Sequence, residues 1–130
     1  MLVAIAIPIF TNQLEKSREA TDIANIRDIY AEISVAMLTD DLSVNTATAT
    51  VGNGLTATTA NTLTGDGTFT VTVEDFVLQQ AVDNWQTNPA ICAGATIANT
   101  LTVPTNKKVD VTFTFTVAGD STYLSGITVA

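Results

Sequence analysis

The chain contains no histidine, which removes Ser-His-Asp and Cys-His nucleophile arrangements and every histidine-containing metal site. Its single cysteine, Cys92 in Ala90-Ile-Cys-Ala-Gly94, cannot close an intrachain disulfide or build a cysteine-rich zinc site. Small apolar neighbours mark it as a buried, inert thiol. Positive charge is scarce: 5 Lys and Arg stand against 13 Asp and Glu, a formal net charge of −8. Direct nucleic-acid binding is therefore not expected, because neutralising phosphates takes clustered Lys and Arg. No glycine-rich phosphate loop is present. The acids Asp40-Asp41, Asp66 and Glu74-Asp75 lack the Asp-x-Asp-x-Asp-Gly spacing of a calcium loop. The expectation is a protein that is not an enzyme and uses neither metal nor cofactor.

What the sequence does have is a long helical pattern at its start. Met1-Leu-Val-Ala-Ile-Ala-Ile-Pro-Ile-Phe10 is almost wholly apolar, and the charged stretch Leu14-Glu-Lys-Ser-Arg-Glu-Ala-Thr-Asp22 follows. Apolar residues then return at Ile23, Ile26, Tyr30, Ile33 and Met37, with Ile29 and Ala36 widening the stripe. That spacing predicts one face of a helix with a 3.6-residue repeat. Running to Leu38, such a helix is about 55 Å long at roughly 1.5 Å per residue, longer than a small domain is wide. Its first half must bury its apolar side chains outside its own domain. Ten apolar residues are too few to cross a bilayer, which takes about 20. They are not a signal peptide either, since no basic segment precedes them and no small-residue cleavage site follows.

Val3-Ala-Ile-Ala-Ile-Pro-Ile-Phe10, followed by Gln13-Leu-Glu-Lys-Ser-Arg-Glu-Ala20, resembles the second half of the N-terminal segment of type IV pilins. The apolar-then-charged texture from Thr11 to Arg27 looks most like pilins of Gram-positive bacteria. The resemblance covers about the first forty residues, and Ala-Ile-Pro closing an apolar run is characteristic of the family. The family's processing site, methylated N-terminal Phe and the Glu shortly after it are not in this sequence. The resemblance therefore implies a truncated mature helix, with Met1 an internal or convenience start. Pro8 has no N–H, so the carbonyl of Ala4 loses its helical partner and a kink or an unwound turn is expected there. In pilins, helix near this proline can melt on assembly and let the fibre stretch. No Leu-Pro-x-Thr-Gly sorting signal is present, which argues against a sortase-assembled pilin.

Beyond Thr39-Asp-Asp-Leu-Ser43 the chain reads as β structure. Val44 to Asp66, rich in Thr, Ala, Asn and Gly, is expected to form a long connecting loop over the helix, with at most one short regular segment. Thr68-Phe-Thr-Val-Thr-Val73 alternates strictly and predicts a half-buried strand. Phe76, Val77, Ala81, Val82 and Trp85 then change period and suggest a short helix ended by Gln86-Thr-Asn-Pro89, with Trp85 as a core plug. Thr96 to Val103 is strand-like. Lys108-Val-Asp-Val-Thr-Phe-Thr-Phe-Thr-Val117 is the clearest strand, and Thr122 to Val129 is the last.

The expected fold is α+β: a long N-terminal helix on an antiparallel sheet of three to four strands. Residues 1–22 form a protruding half and residues 23–130 a globular pilin domain. Ile23, Ile26, Tyr30, Ile33 and Met37 pack on the sheet. Leu2, Val3, Ile5, Ile7, Pro8, Ile9 and Phe10 pack a filament core, and Leu14 marks the transition. The resemblance implies a structural subunit that polymerises through this helix into a cell-surface filament for adhesion, twitching motility or biofilm formation. Its partners would be other copies of itself, membrane lipid before assembly, and the pilus assembly machinery. The alternatives are a tip adhesin or minor pilin, and a competence pilin or secretion pseudopilin; the acidic charge weakens a DNA-uptake role.

Overall fold

A computed structural model of the chain describes residues 2–38, with side chains from Leu14 onward, and residues 47–52, 54–62, 64–81, 83–85, 90–98 and 101–130. Helix α1 spans Leu2–Leu38, 37 residues of unbroken helical backbone that continues through Pro8. The strands are β1 (Thr48–Val51), β2 (Leu55–Ala60), β3 (Gly67–Val77), β4 (Ala90–Cys92), β5 (Ala95–Ile97), β6 (Lys108–Ala118) and β7 (Ser121–Val129). They form one sheet in the order β1-β2-β3-β6-β7-β5-β4. Every pairing is antiparallel except β5 with β7. A long N-terminal helix on a mostly antiparallel sheet is consistent with a pilin-like α+β fold.

The sheet has one apolar face because its strands alternate in phase. Thr59, Val71, Phe113, Ile127, Ile97 and Ala90 face one another in a single row across six strands, and all six are buried. Successive side chains point to opposite faces, so the neighbouring residues on each strand must point outward. There the row Thr48, Thr58, Thr72, Thr112 and Thr128 crosses five strands. A β-branched side chain with a hydroxyl suits this exposed pleat: its methyl covers the backbone and its oxygen meets water or a neighbour. Thr72 and Thr112 place their hydroxyls 3.4 Å apart, and the Thr116 hydroxyl donates to Ser125 Oγ at 2.8 Å.

Among the described residues the sheet has seven strands, not three or four, and the difference has two local causes. β1 (Thr48–Val51) and β2 (Leu55–Ala60) pair where a connecting loop is expected; the sequence pattern hides them because, of their buried residues Val51, Ala57 and Thr59, only Val51 is strongly apolar. The segment 90–97 forms a second hairpin through Ala93 and Gly94, both at positive φ, as tight two-residue turns require. Its β5 pairs beside β7 through Ile97 and Ile127, and the strand-like pattern ends at Ile97, not at Val103.

The expected short helix after Val73 is also absent among the described residues. β3 continues to Val77 through a bulge: Val73 pairs with Val111 and Phe76 with Val109, so Glu74 and Asp75 together oppose Asp110. Asp75 takes φ 61, in the left-handed region that Asp tolerates better than most side chains. The bulge shifts the inward phase by one residue. Phe69, Val71 and Val73 are buried before it, and Phe76, Leu78 and Gln80 after it. The three-residue step from Val73 to Phe76 imitates helical spacing.

Core packing follows from this frame. Ile26, Ile29, Ile33 and Ala36 of α1 are buried in one cluster with Val71, Val73, Val111, Phe113 and Phe115. Trp85, Leu78 and Leu101, on segments without regular structure, belong to the same core, and Trp85 is 3% exposed. Each such side chain contributes about 1.5–3 kcal/mol on burial. Asp75→Gly, which relieves the left-handed backbone, should leave the unfolding free energy within about 0.5 kcal/mol of wild type, whereas Asp75→Val should lower it by roughly 1–2 kcal/mol in urea denaturation.

Candidate assembly surface on the N-terminal helix

Among the described side chains of α1, the buried ones are Glu15, Glu19, Asp22, Ile26, Ile29, Ile33 and Ala36. Their spacing alternates four and three, one continuous stripe down the helix. The lower end of the stripe is acidic, and two of these acids, Asp22 and Glu15, accept from backbone N–H groups. Asp22 Oδ1 accepts from the Gln79 N–H at 2.7 Å and Oδ2 from the Gln80 N–H at 3.0 Å. Glu15 accepts from the Ala81 N–H at 3.0 and 3.3 Å, and Arg18 lies 3.6 Å from Glu15 Oε2. Three successive N–H groups, left without ladder partners where β3 ends, thus point into carboxylates carried by the helix. Among the described side chains, Glu15, Glu19 and Asp22 are buried, so this stretch of the helix lies against the globular part.

A second carboxylate clamp fastens the other side of α1: the Gly52 N–H, in the β1–β2 turn, donates to Glu32. On the far side, Cys92 is buried with its Sγ 3.9 Å from the Ile23 carbonyl, and burial pushes the thiol up from its ordinary range despite the nearby Arg27. Burial also raises the Asp22 carboxyl above its ordinary value, with Glu15 adding to the effect; the Gln79 and Gln80 N–H groups and Lys107 oppose it.

Among the residues expected to pack on the sheet, Ile26 and Ile33 are fully buried, and Ile23, Tyr30 and Met37 flank them, partly buried. Tyr30 sits against Phe113 and Phe115, with ring centroids 6.2 and 6.3 Å away. Leu14 is 42% exposed, an apolar side chain left facing outward at the start of the docked segment. Leu2, Val3, Ile5, Ile7, Pro8, Ile9 and Phe10 lie on the helical backbone, but their side chains are outside the described residues. The charge pattern hid Glu15, Glu19 and Asp22 as packing residues; their shared spacing with Ile26 and Ile33 is the signal that finds them.

No described helix is long and apolar enough to cross a membrane. Among the described residues no group of three or more potential ligands could hold a metal ion. Compared with family models, with curated proteins and with solved structures, the chain matches none.

The raised Asp22 carboxyl has a definite linkage sign. The folded protein holds this proton more tightly than the unfolded chain, so the contribution of Asp22 to stability falls as pH rises from about its ordinary 3.8 through the folded value. Asp22→Asn should remove that part of the pH dependence in denaturation curves taken from pH 4 upward. Asp22→Ala should cost roughly 2–3 kcal/mol, because it leaves the buried Gln80 N–H and the part-buried Gln79 N–H without acceptors.

Proposed function

We propose that this chain is a structural subunit of a type IV pilus, of the kind found in Gram-positive bacteria. It polymerises through the apolar start of α1 into a filament displayed at the cell surface. The observation that carries this is the division of one continuous helix. From Glu15 to Ala36 its buried stripe is matched to its own domain. The same backbone runs on from Leu14 back to Leu2, about 18 Å at ~1.5 Å per residue, and carries the most apolar run in the sequence.

An apolar helix of that length gains by packing against equivalent helices of other copies. A head-to-tail contact of this kind uses two different surfaces, and repeating it generates an open helical filament. Before assembly the same side chains are held by membrane lipid. The α+β domain then faces outward and presents the threonine-lined side of its sheet. Adhesion, twitching motility and biofilm formation are the roles such a filament serves, driven by assembly machinery elsewhere.

The tests are direct. Ile5→Asp or Ile9→Asp in the full-length protein should abolish filaments seen by electron microscopy, while the globular part keeps its circular dichroism spectrum and unfolding midpoint. Filaments that survive either change would refute axial packing by this segment. Immunogold labelling should be dense along the shaft; labelling confined to tips would favour the adhesin.

A further inference from the structure

A groove of about 350 Å³ opens between α1, the β1–β2 turn and the bulge of β3. Its floor is apolar, formed by the buried Ile29 and Phe76, with Val77 and Leu55 on its walls. The charged residues at its rim are both acidic: Asp28 on α1 and Asp75 at the bulge. Both are exposed, and among the described residues neither has a hydrogen-bond or ion-pair partner. Two carboxylate clamps fix the walls, Glu32 on Gly52 and Asp22 on Gln79. The groove therefore keeps its shape with its own two acids unoccupied.

An apolar trough ending in uncompensated carboxylates suits a long aliphatic stem with a cationic head, which is the form of a lysine or arginine side chain. The chain carries only five such residues. On the lower part of α1, Arg18 is already engaged by Glu15, while Lys16 is exposed and has no ion-pair partner among the described residues. Lys16 and Asp28 stand twelve positions apart on one straight element, about 18 Å along the axis and roughly a third of a turn around it. Lys16 cannot reach the groove of its own molecule. A neighbour displaced by about that distance along α1 brings its Lys16 level with Asp28.

We infer that this groove receives Lys16 of a second copy of the chain, held by Asp28 and Asp75. The contact is heterologous, one surface giving the cation and a different one accepting it, so it repeats without closing. It takes the filament assembly above as given and adds a register to it: the apolar segments supply association, and the Lys16 contact sets how far one copy slides past the next. Neighbours that slip out of register leave two carboxylates facing apolar surface without a counter-charge.

The test is a double-cysteine variant of the full chain, Lys16→Cys with Asp28→Cys, treated after assembly with a bis-maleimide of about 10 Å reach, because a lysine head seated on a carboxylate leaves the two Cα atoms beyond the roughly 7 Å that a disulfide spans. The two positions are too far apart to bridge within one molecule, and Cys92 is buried. Any new cross-link is therefore between copies. The expected result is a ladder of covalent oligomers on a non-reducing gel, absent from either single variant beyond a dimer. In parallel, Lys16→Asp or Asp28→Lys should raise the concentration needed for assembly roughly three- to tenfold, and the combined swap should recover most of that loss.

Filaments that form normally but give no ladder, or that ignore both charge reversals, would overturn the Lys16 contact while leaving the pilus assignment intact. A wild-type chain that never forms filaments, in the presence of its own assembly machinery, would overturn both.

Discussion

One face of the sheet is lined by Val71, Val73, Val111, Phe113, Ile127 and Val129, and among the described residues the only helix laid across it is α1. That arrangement constrains the rest of the molecule. A single helix must supply apolar contact over the central strands and must also be held at a fixed height, since a slide of one turn would pull Ile26 and Ile33 out of their places. Apolar packing resists such a slide weakly, because one aliphatic side chain substitutes well for another. Directional bonds resist it strongly. Glu15 and Asp22 on the lower turns and Glu32 above them are tied to backbone N–H groups at Ala81, Gln79, Gln80 and Gly52. The acids set the register of the helix, and the isoleucines give it adhesion.

This division of labour explains the chemistry of the buried stripe. Where β3 ends, residues 79–81 lose their ladder partners, and three N–H groups would otherwise be left in a half-buried position. Carboxylates on the facing helix are the strongest acceptors available to them. Burying an acid is costly, which is why Asp22 holds its proton more tightly than usual. For Asp22 the cost is offset because its two oxygens close two N–H groups at once.

The sequence made some of this plain and concealed the rest for physical reasons. β6 was legible because every inward position from Val109 to Val117 is apolar and every outward one polar. The helix was legible from Ile23 to Met37 through the same kind of contrast. β1 and β2 carry little contrast, since Thr and Ala occupy both faces; only their pairing, β1 with β2 and β2 with β3, shows them to be strands. The bulge at Asp75 disguised a continuing strand as a change to helical period. In the candidate assembly surface, the apolar segment from Leu2 to Phe10 is legible from composition alone. The buried acids are not, because charge normally marks a solvated face; here position on the helix overrides residue type.

The account rests on the apolar start of α1 being made for other molecules, while the domain from Leu14 onward folds by itself. The most direct measurement compares the unfolding free energy of residues 14–130 with that of the whole chain held monomeric in mild detergent. Equal stability within about 0.5 kcal/mol, with self-association lost from the shorter chain, is the expected result. A drop of several kcal/mol, the size of losing several buried aliphatic side chains, would mean that those residues belong to the protein's own core and would contradict the account.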